Sequence, residues 1–395
     1  MRGPGALIDV TRLAARLLEG KHPTGVDRVS LAYVEHFRRR AHALVRHAGR
    51  WMELGDSASE RVFDALLGAS DRPQRIVRDC VGTAYALRWS MRRGVLLFNT
   101  GHSGLDAPGY ADRVRNRDLR PVYFLHDLIP ITHPEYCRPG EADKHHQRMH
   151  TMLNTGVGLV LNSHATQQSL LAYAQARGWS VPPHVVAPLG ASTLPPPQAE
   201  PPTRQPYFVV LGTVEPRKNH LLLLHLWRQW IASGATEMPD LVIIGQRGWE
   251  CEQVIDLLER CPALQGRVIE KSDCDDVELS TWLHHARALL FPSFVEGFGM
   301  PLVEALLHGV PVIASDLPVF REIAGSIPDY LDPLDGPGWQ HMIAAYCGSD
   351  SPARLAQLAR MRDFSPPSWS DHFARVDAWL ETVAQTPRPA HVQAR

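Results

Sequence analysis

Neither covalent staples nor a membrane span is written into this chain. Its six cysteines, Cys80, Cys137, Cys251, Cys261, Cys274 and Cys347, include no C-x-x-C pair. No disulfide framework or zinc knuckle is therefore expected, and a reducing cytoplasm fits. Long apolar runs are missing as well: residues 1–20 hold no extended apolar stretch, and Leu221–Leu224 is interrupted by His225. No transmembrane segment is expected, so any membrane contact is peripheral. No G-x-G-x-x-G follows a strand-like stretch, which argues against a nicotinamide-dependent dehydrogenase. The net charge is only −1, and no nucleic-acid partner is expected.

What is present suffices for two domains, since 395 residues are long for one. Residues 1–200 carry 25 Lys and Arg against 18 Asp and Glu, a net +7, whereas 201–395 carry 16 against 24, a net −8. Halves of opposite sign suggest different partners. Between them, Pro195–Gln205 (PPPQAEPPTRQ) reads as an extended linker. The expected division is therefore 1–194, 206–365 and a terminal segment 366–395. In the last, Phe373, Val376, Trp379, Leu380 and Val383 fall at the spacing of an amphipathic helix over Trp369–Ala384.

In the first half, Ala6–Val10 reads as a strand, and Lys21–Gly25 as a loop opening a helix near Val26. Gly25 either brings backbone N–H groups to an anion at that helix start or simply makes a turn; spacing alone does not separate the two. The helix places Leu31, Val34, Phe37 and Ala41 on one side, with Arg38, Arg39 and Arg40 beside them. These arginines are either a solvated cluster or a basic face for anionic lipid. Further strands are expected at Val95–Asn99, Val122–His126, Val157–Leu161 and His184–Pro188, with a helix over Asn162–Ala176. His126, at a strand's carboxyl end, would point toward the ligand side of an open α/β sheet. His145, His146 and His150 invite a metal reading, but no glutamate completes an H-E-x-x-H, so they read as a solvated helix face.

The second half opens with a strand, Tyr207–Leu211, followed by Gly212-Thr213-Val214-Glu215-Pro216-Arg217-Lys218-Asn219-His220. Two adjacent cations at a helix mouth oppose the helix dipole, a placement that makes sense if a diphosphate holds them there. Strands at Leu241–Ile244 and Arg267–Ile269 flank a helix at Glu252–Arg260, and the turn Gly245-Gln246-Arg247-Gly248-Trp249 lies where a nucleotide would approach. Asp273, Asp275 and Asp276 directly precede an apolar-periodic segment, so helix capping is preferred over a metal-binding D-x-D. The most informative stretch is 288–316, ALLFPSFVEGFGMPLVEALLHGVPVIASD. A strand runs into a glycine-rich turn holding Glu296. A helix follows, with Pro301 in its first turn and Glu304 eight residues beyond Glu296.

That stretch resembles the E-x7-E signature of retaining GT-B glycosyltransferases of the family-4 type. Gly212–Asn219 is similar to the same family's donor loop, Gly245–Trp249 more moderately to its G-x-x-G-W loop, and His126-Asp127 to its strand-end histidine. The resemblance also tips Gly25 toward a diphosphate-facing loop. It implies an α/β fold of GT-B type, with two doubly wound Rossmann-like domains facing across a cleft and closing on the donor. The implied activity is retaining transfer of a hexosyl unit, from a donor of GDP-mannose type, to a glycan acceptor in cell-surface polysaccharide synthesis. Arg217 and Lys218 would meet the leaving diphosphate, Glu296 the sugar hydroxyls, and His126 the transferred sugar. Glu304 would hold the ribose. Gly25, Gly212, Thr213, Gly245, Gly297, Phe298, Gly299, Met300, Pro301 and Leu302 would line the donor site. No cofactor and no metal is expected. The family's acceptors imply a lipid-linked glycan, met at the inner face of the membrane. A non-catalytic nucleotide-sugar-binding protein and a GT-B epimerase stay open as alternatives. Hydrolysis by paired carboxylates fits poorly, because both glutamates sit in donor-binding positions.

Overall fold

The computed structural model describes residues 5–234 and 238–385. The last ten positions of the expected segment 366–395 thus lie outside the described residues. The chain forms two compact units. One comprises the residues up to Leu128, Asp143–Leu189 and the stretch from Trp369; the other comprises Ile129–Ala142 and Gly190–Ser368.

The first unit is built on a seven-stranded sheet in the order β3-β2-β1-β4-β5-β6-β7. The strands are β1 (Ala6–Asp9), β2 (Ala41–His47), β3 (Arg50–Glu53), β4 (Leu96–Asn99), β5 (Arg120–Leu125), β6 (Gly158–Leu161) and β7 (His184–Val186). All neighbours pair in parallel except β3, which runs antiparallel to β2. The near-continuous apolar runs of β1 and β5 are buried along almost their whole length, as strands covered on both faces require. Tyr33 and Phe37 of the helix Gly25–Phe37 pack with Phe98, Phe124 and Phe373. Phe373 belongs to the terminal helix Trp369–Gln385, which therefore completes this core.

The second unit carries a six-stranded sheet in the order β10-β9-β8-β11-β12-β13. Its strands are β8 (Tyr207–Leu211), β9 (Asp240–Ile244), β10 (Val268–Lys271), β11 (Leu289–Phe291), β12 (Val312–Ser315) and β13 (Asp329–Leu331). Every pairing is parallel. Phe208, Trp227, Leu241, Ile243, Leu290, Ile313, Trp339 and Tyr346 form its core. Trp227 is fully buried, and its indole N–H donates to Pro239 O at 2.9 Å. In each sheet the order reverses once, between β1 and β4 and between β8 and β11. Ligands of open α/β sheets gather beyond the carboxyl ends of strands at such reversals.

Four sequence expectations need correction. The helix expected to carry Ala41 stops at Phe37; Arg38–Arg40 make a turn, and Ala41 begins β2. The three arginines are also not a uniform basic face, because Arg38 pairs with Asp64 and Arg40 with Asp377. Gly25 is not in the first strand–helix loop, since the helix Thr11–Leu18 intervenes after β1. The boundary near 195–205 also leaves out a segment: residues 129–142, placed by sequence in the first half, pack with the second unit. Among the described residues, no helix is long and apolar enough to cross a membrane.

Candidate active site

In the second unit the loops after β8 and β11, the two strands at the reversal, converge on one carboxylate. After β8 the chain passes Gly212 at φ +137° and makes a short 3-10 turn, Pro216–Lys218. Asn219 then takes a left-handed conformation at φ +56° before the helix His220–Ala232 starts. That turn aims Arg217 and Lys218 at Glu296 in the loop after β11. Glu296 Oε2 accepts from Arg217 Nη1 at 2.6 Å and Oε1 from Lys218 Nζ at 2.5 Å. Ser293 Oγ donates to the same Oε1 at 2.8 Å. The two loops are joined through the backbone as well, Phe294 N–H donating to Arg217 O at 2.8 Å. Glu215, itself buried, forms a second ion pair with Arg217 Nε at 2.6 Å.

The unfavourable pair of cations is thus balanced inside the protein. Burial by itself would raise the Glu296 carboxyl, but Arg217 and Lys218 override it and hold its pKa at about 2. Burial pulls Lys218 down from its ordinary value, opposed chiefly by Glu296. Burial pushes Glu215 up. A carboxylate whose folded pKa is depressed adds stability that is fully present above its unfolded value, about 4.3. That stability drains away as pH falls toward 2. Acid unfolding should therefore show the wild type losing its advantage over Glu296→Gln between about pH 4 and 2. Parallel acid titrations of the two proteins would refute this if the gap stayed constant across that range.

Beyond Glu296, the helix Met300–Leu307 starts from Gly299 at φ +103°, with Pro301 in its first turn. Glu304 is 2% exposed on that helix, and Phe298 and Leu302 are buried. Leu302 N–H donates to Gly299 O at 3.0 Å, and its side chain belongs to the interior. Thr213 and Gly245 sit where the loops after β8 and β9 touch, Gly212 N–H donating to Ile244 O at 2.9 Å. Met300 and Gly297 are half-buried in the same stretch as Glu296.

In the first unit, His126 lies just beyond β5, 8% exposed, with Nε2 at 2.7 Å from Thr100 O. Burial lowers its pKa, so the neutral ring is favoured. Sequence reasoning missed its companions. His102, after β4, has φ +55° and meets the His126 ring edge-on, with ring centroids 5.1 Å apart. His145 is no solvated residue but 2% exposed, its ring 5.7 Å from His102. Arg12, just past β1, pairs with Asp27 at 2.7 Å, and Asp27 caps the Gly25 helix through Thr24. A Cβ at Gly25 would meet nothing within 4 Å, so no protein packing demands a glycine there. Asp275 caps its helix through Glu278 N–H at 2.8 Å. Among the described residues no three His, Cys, Asp or Glu side chains are grouped to hold a metal ion.

Residues 195–326 match the family described as glycosyl transferases group 1. The matched stretch makes up most of the second unit. It contains every residue of the Arg217–Lys218–Glu296 cluster, together with Glu304. Among curated proteins, the chain is 29% identical over 235 residues to the serotype-specific mannosyltransferase WbdA of Escherichia coli, covering 54% of this chain and 28% of that protein. It is 33% identical over 164 residues to the O-antigen chain mannosyltransferase B of the same species, covering 41% and 42%. The chain therefore spans less than half the length of these relatives. Among solved structures, Anabaena Alr3699/HepE in complex with UDP-glucose aligns at a TM-score of 0.66 and 15% identity, over 97% of this chain and 100% of that one. Sucrose-phosphate synthase from Thermosynechococcus elongatus aligns at 0.64 and 16%, over 98% and 100%. The fold is GT-B, and the stretch that matches the group 1 family lies in its second unit.

Proposed function

We propose that the protein is a retaining glycosyltransferase that moves a mannosyl unit from a GDP-mannose-type donor to a glycan acceptor, without a divalent metal. The observation that carries this reading is the buried cluster in which Arg217 and Lys218 converge beside the start of the Met300–Leu307 helix. Breaking a sugar–diphosphate bond puts negative charge on the departing diphosphate while the anomeric carbon becomes oxocarbenium-like. Preorganised cations in a site of low dielectric are the strongest means a protein has to stabilise that charge. Arg217 and Lys218 serve the diphosphate, Glu296 the sugar hydroxyls, and Glu304 the ribose. His126, kept neutral by burial, addresses the transferred sugar without acting as a cation. Mannose is favoured because both curated relatives named above are mannosyltransferases. The acceptor is proposed to be a lipid-linked glycan met in the cytoplasm at the inner membrane face. The net +7 of residues 1–200 and the exposed Arg39 support that step.

The deciding experiment is incubation with a panel of nucleotide sugars and oligosaccharide acceptors, with and without excess EDTA. Free nucleoside diphosphate should appear with GDP-mannose, together with a product whose anomeric configuration, read by NMR, matches the donor. EDTA should leave the rate unchanged. Inverted product rejects the retaining mechanism, and loss of activity restored by Mg²⁺ or Mn²⁺ rejects the metal-free one. Free sugar without ligated product would point to hydrolysis instead.

A further inference from the structure

The segment Ile129–Ala142 packs with the second unit, although β5 and the helix Glu141–Thr155 belong mostly to the first. It begins shortly after His126 and contains a short helix, Ile129–Thr132, and a 3-10 turn, Pro134–Tyr136. Its contact residue is Tyr136. The Tyr136 ring lies over that of Phe294 with centroids 5.1 Å apart and planes only 4° from parallel. Trp249 Nε1 donates to Tyr136 O at 3.3 Å, and the Arg138 guanidinium sits 5.2 Å from the centre of the Trp249 ring. His133 also stacks with Tyr136, their ring centroids 6.1 Å apart.

Phe294 is no neutral anchor. It lies between Ser293, which donates to Glu296, and Val295, whose carbonyl accepts from Arg217 at 3.4 Å. Its own N–H is the backbone tie to Arg217 O. Phe294 is only half-buried even with Tyr136 against it. From these contacts we infer that Tyr136 is a positioning residue: by covering Phe294 it fixes the loop Ser293–Glu296 against Arg217 and Lys218. Offset aromatic stacking restricts both rings beyond what area burial alone achieves. A loop whose atoms make a multidentate ion pair needs such support, because small displacements at a reacting site are costly. The role of Tyr136 toward the donor rests on the glycosyltransferase reading; its hold on the loop does not.

Two readouts separate these. Hydrogen exchange on the ligand-free full chain should show the amides of Phe294–Gly297 opening at least about tenfold more often in Tyr136→Ala than in wild type. Tyr136→Phe, which keeps the ring, should stay within about twofold of wild type. With GDP-mannose as probe, Tyr136→Ala should raise KM about tenfold and lower kcat, and Tyr136→Phe should restore both. A stabilising role elsewhere would lower the melting temperature without a selective change in this loop or in KM. If Tyr136→Ala does not fold, Trp249→Phe removes the indole donor to the Tyr136 carbonyl, together with part of the ring beside Arg138, and should raise exchange in the same amides. Unchanged exchange at Phe294–Gly297 in the folded variant overturns the inference. Wild type inert toward GDP-mannose while the exchange result holds would overturn the functional reading and leave the positioning role standing.

Discussion

Glu296→Gln is expected to bind GDP more tightly than wild type while losing most transfer activity. Glu296 holds the two cations proposed to meet the diphosphate, at 2.6 and 2.5 Å, with its side chain only 7% exposed. On that reading donor and carboxylate compete. Glutamine keeps the shape and retains the Ser293 hydrogen bond, but removes the competing charge, and a gain of about 10-fold in GDP affinity corresponds to about 1.4 kcal/mol. Transfer should fall by a factor of about 10² or more, because the charged hydrogen bond proposed between Glu296 and the sugar would be lost. Folding stability should also fall, since removing one partner of a buried pair costs about 3–5 kcal/mol. The loss here is smaller, because Arg217 is 22% exposed and keeps its pairing with Glu215. Saturating GDP should restore the melting temperature by mass action. Lys218→Ala and Glu304→Ala are expected to act in the opposite sense and weaken GDP. Calorimetric titration decides: if Glu296→Gln binds GDP no better than wild type, the two cations are not the diphosphate's partners.

The elements that were legible in the sequence are those with a local cause. β8 and the helix Glu252–Arg260 fall within the residues that apolar runs and capping signals mark. The order Arg217-Lys218 and the spacing of Glu296 from Glu304 were visible because each lies in a short loop or on one helix. Missing from the sequence was the counter-charge. Glu296 and Arg217 are 79 residues apart, and only the parallel pairing of β8 with β11 brings their loops together. The same limit hid His102, which reaches His126 because β4 and β5 are neighbours. It hid β2 and β3 as well, since Ala41–His47 follows three arginines and mixes histidine and arginine among its apolar residues. Segment 129–142 was misplaced for a related reason. Chain order assigns it to the first half, whereas Tyr136 stacks on Phe294 and takes its hydrogen bond from Trp249.

Gly245→Ala should be the most damaging single-methyl change in the second unit. Gly245 has φ +153°, and a Cβ there would lie 2.1 Å from Gly212 O, a backbone atom that no side-chain rotation can move aside. The two loops are laced together, with Val214 N–H donating to Gln246 O and Gly248 N–H to Val214 O, both at 2.9 Å. A methyl group must therefore push the loop after β8 away from the loop after β9. Arg217 and Lys218 ride on the displaced loop, so donor binding should fail along with stability. Backbone strain of about 1–3 kcal/mol adds to the steric term, and a total of about 4 kcal/mol places the change in the exceptional class. At about 2–4 °C per kcal/mol for a unit of this size, the melting temperature should drop by roughly 10 °C. Gly266→Ala supplies the control. Its φ is +77°, with nothing within 4 Å of the added Cβ, so it carries conformational strain alone and should cost about 1 kcal/mol. Thermal melts of the two variants, with GDP titrations on whatever folds, are the check. Equal shifts in both would show that the contact between the Gly212 and Gly245 loops does not hold the site.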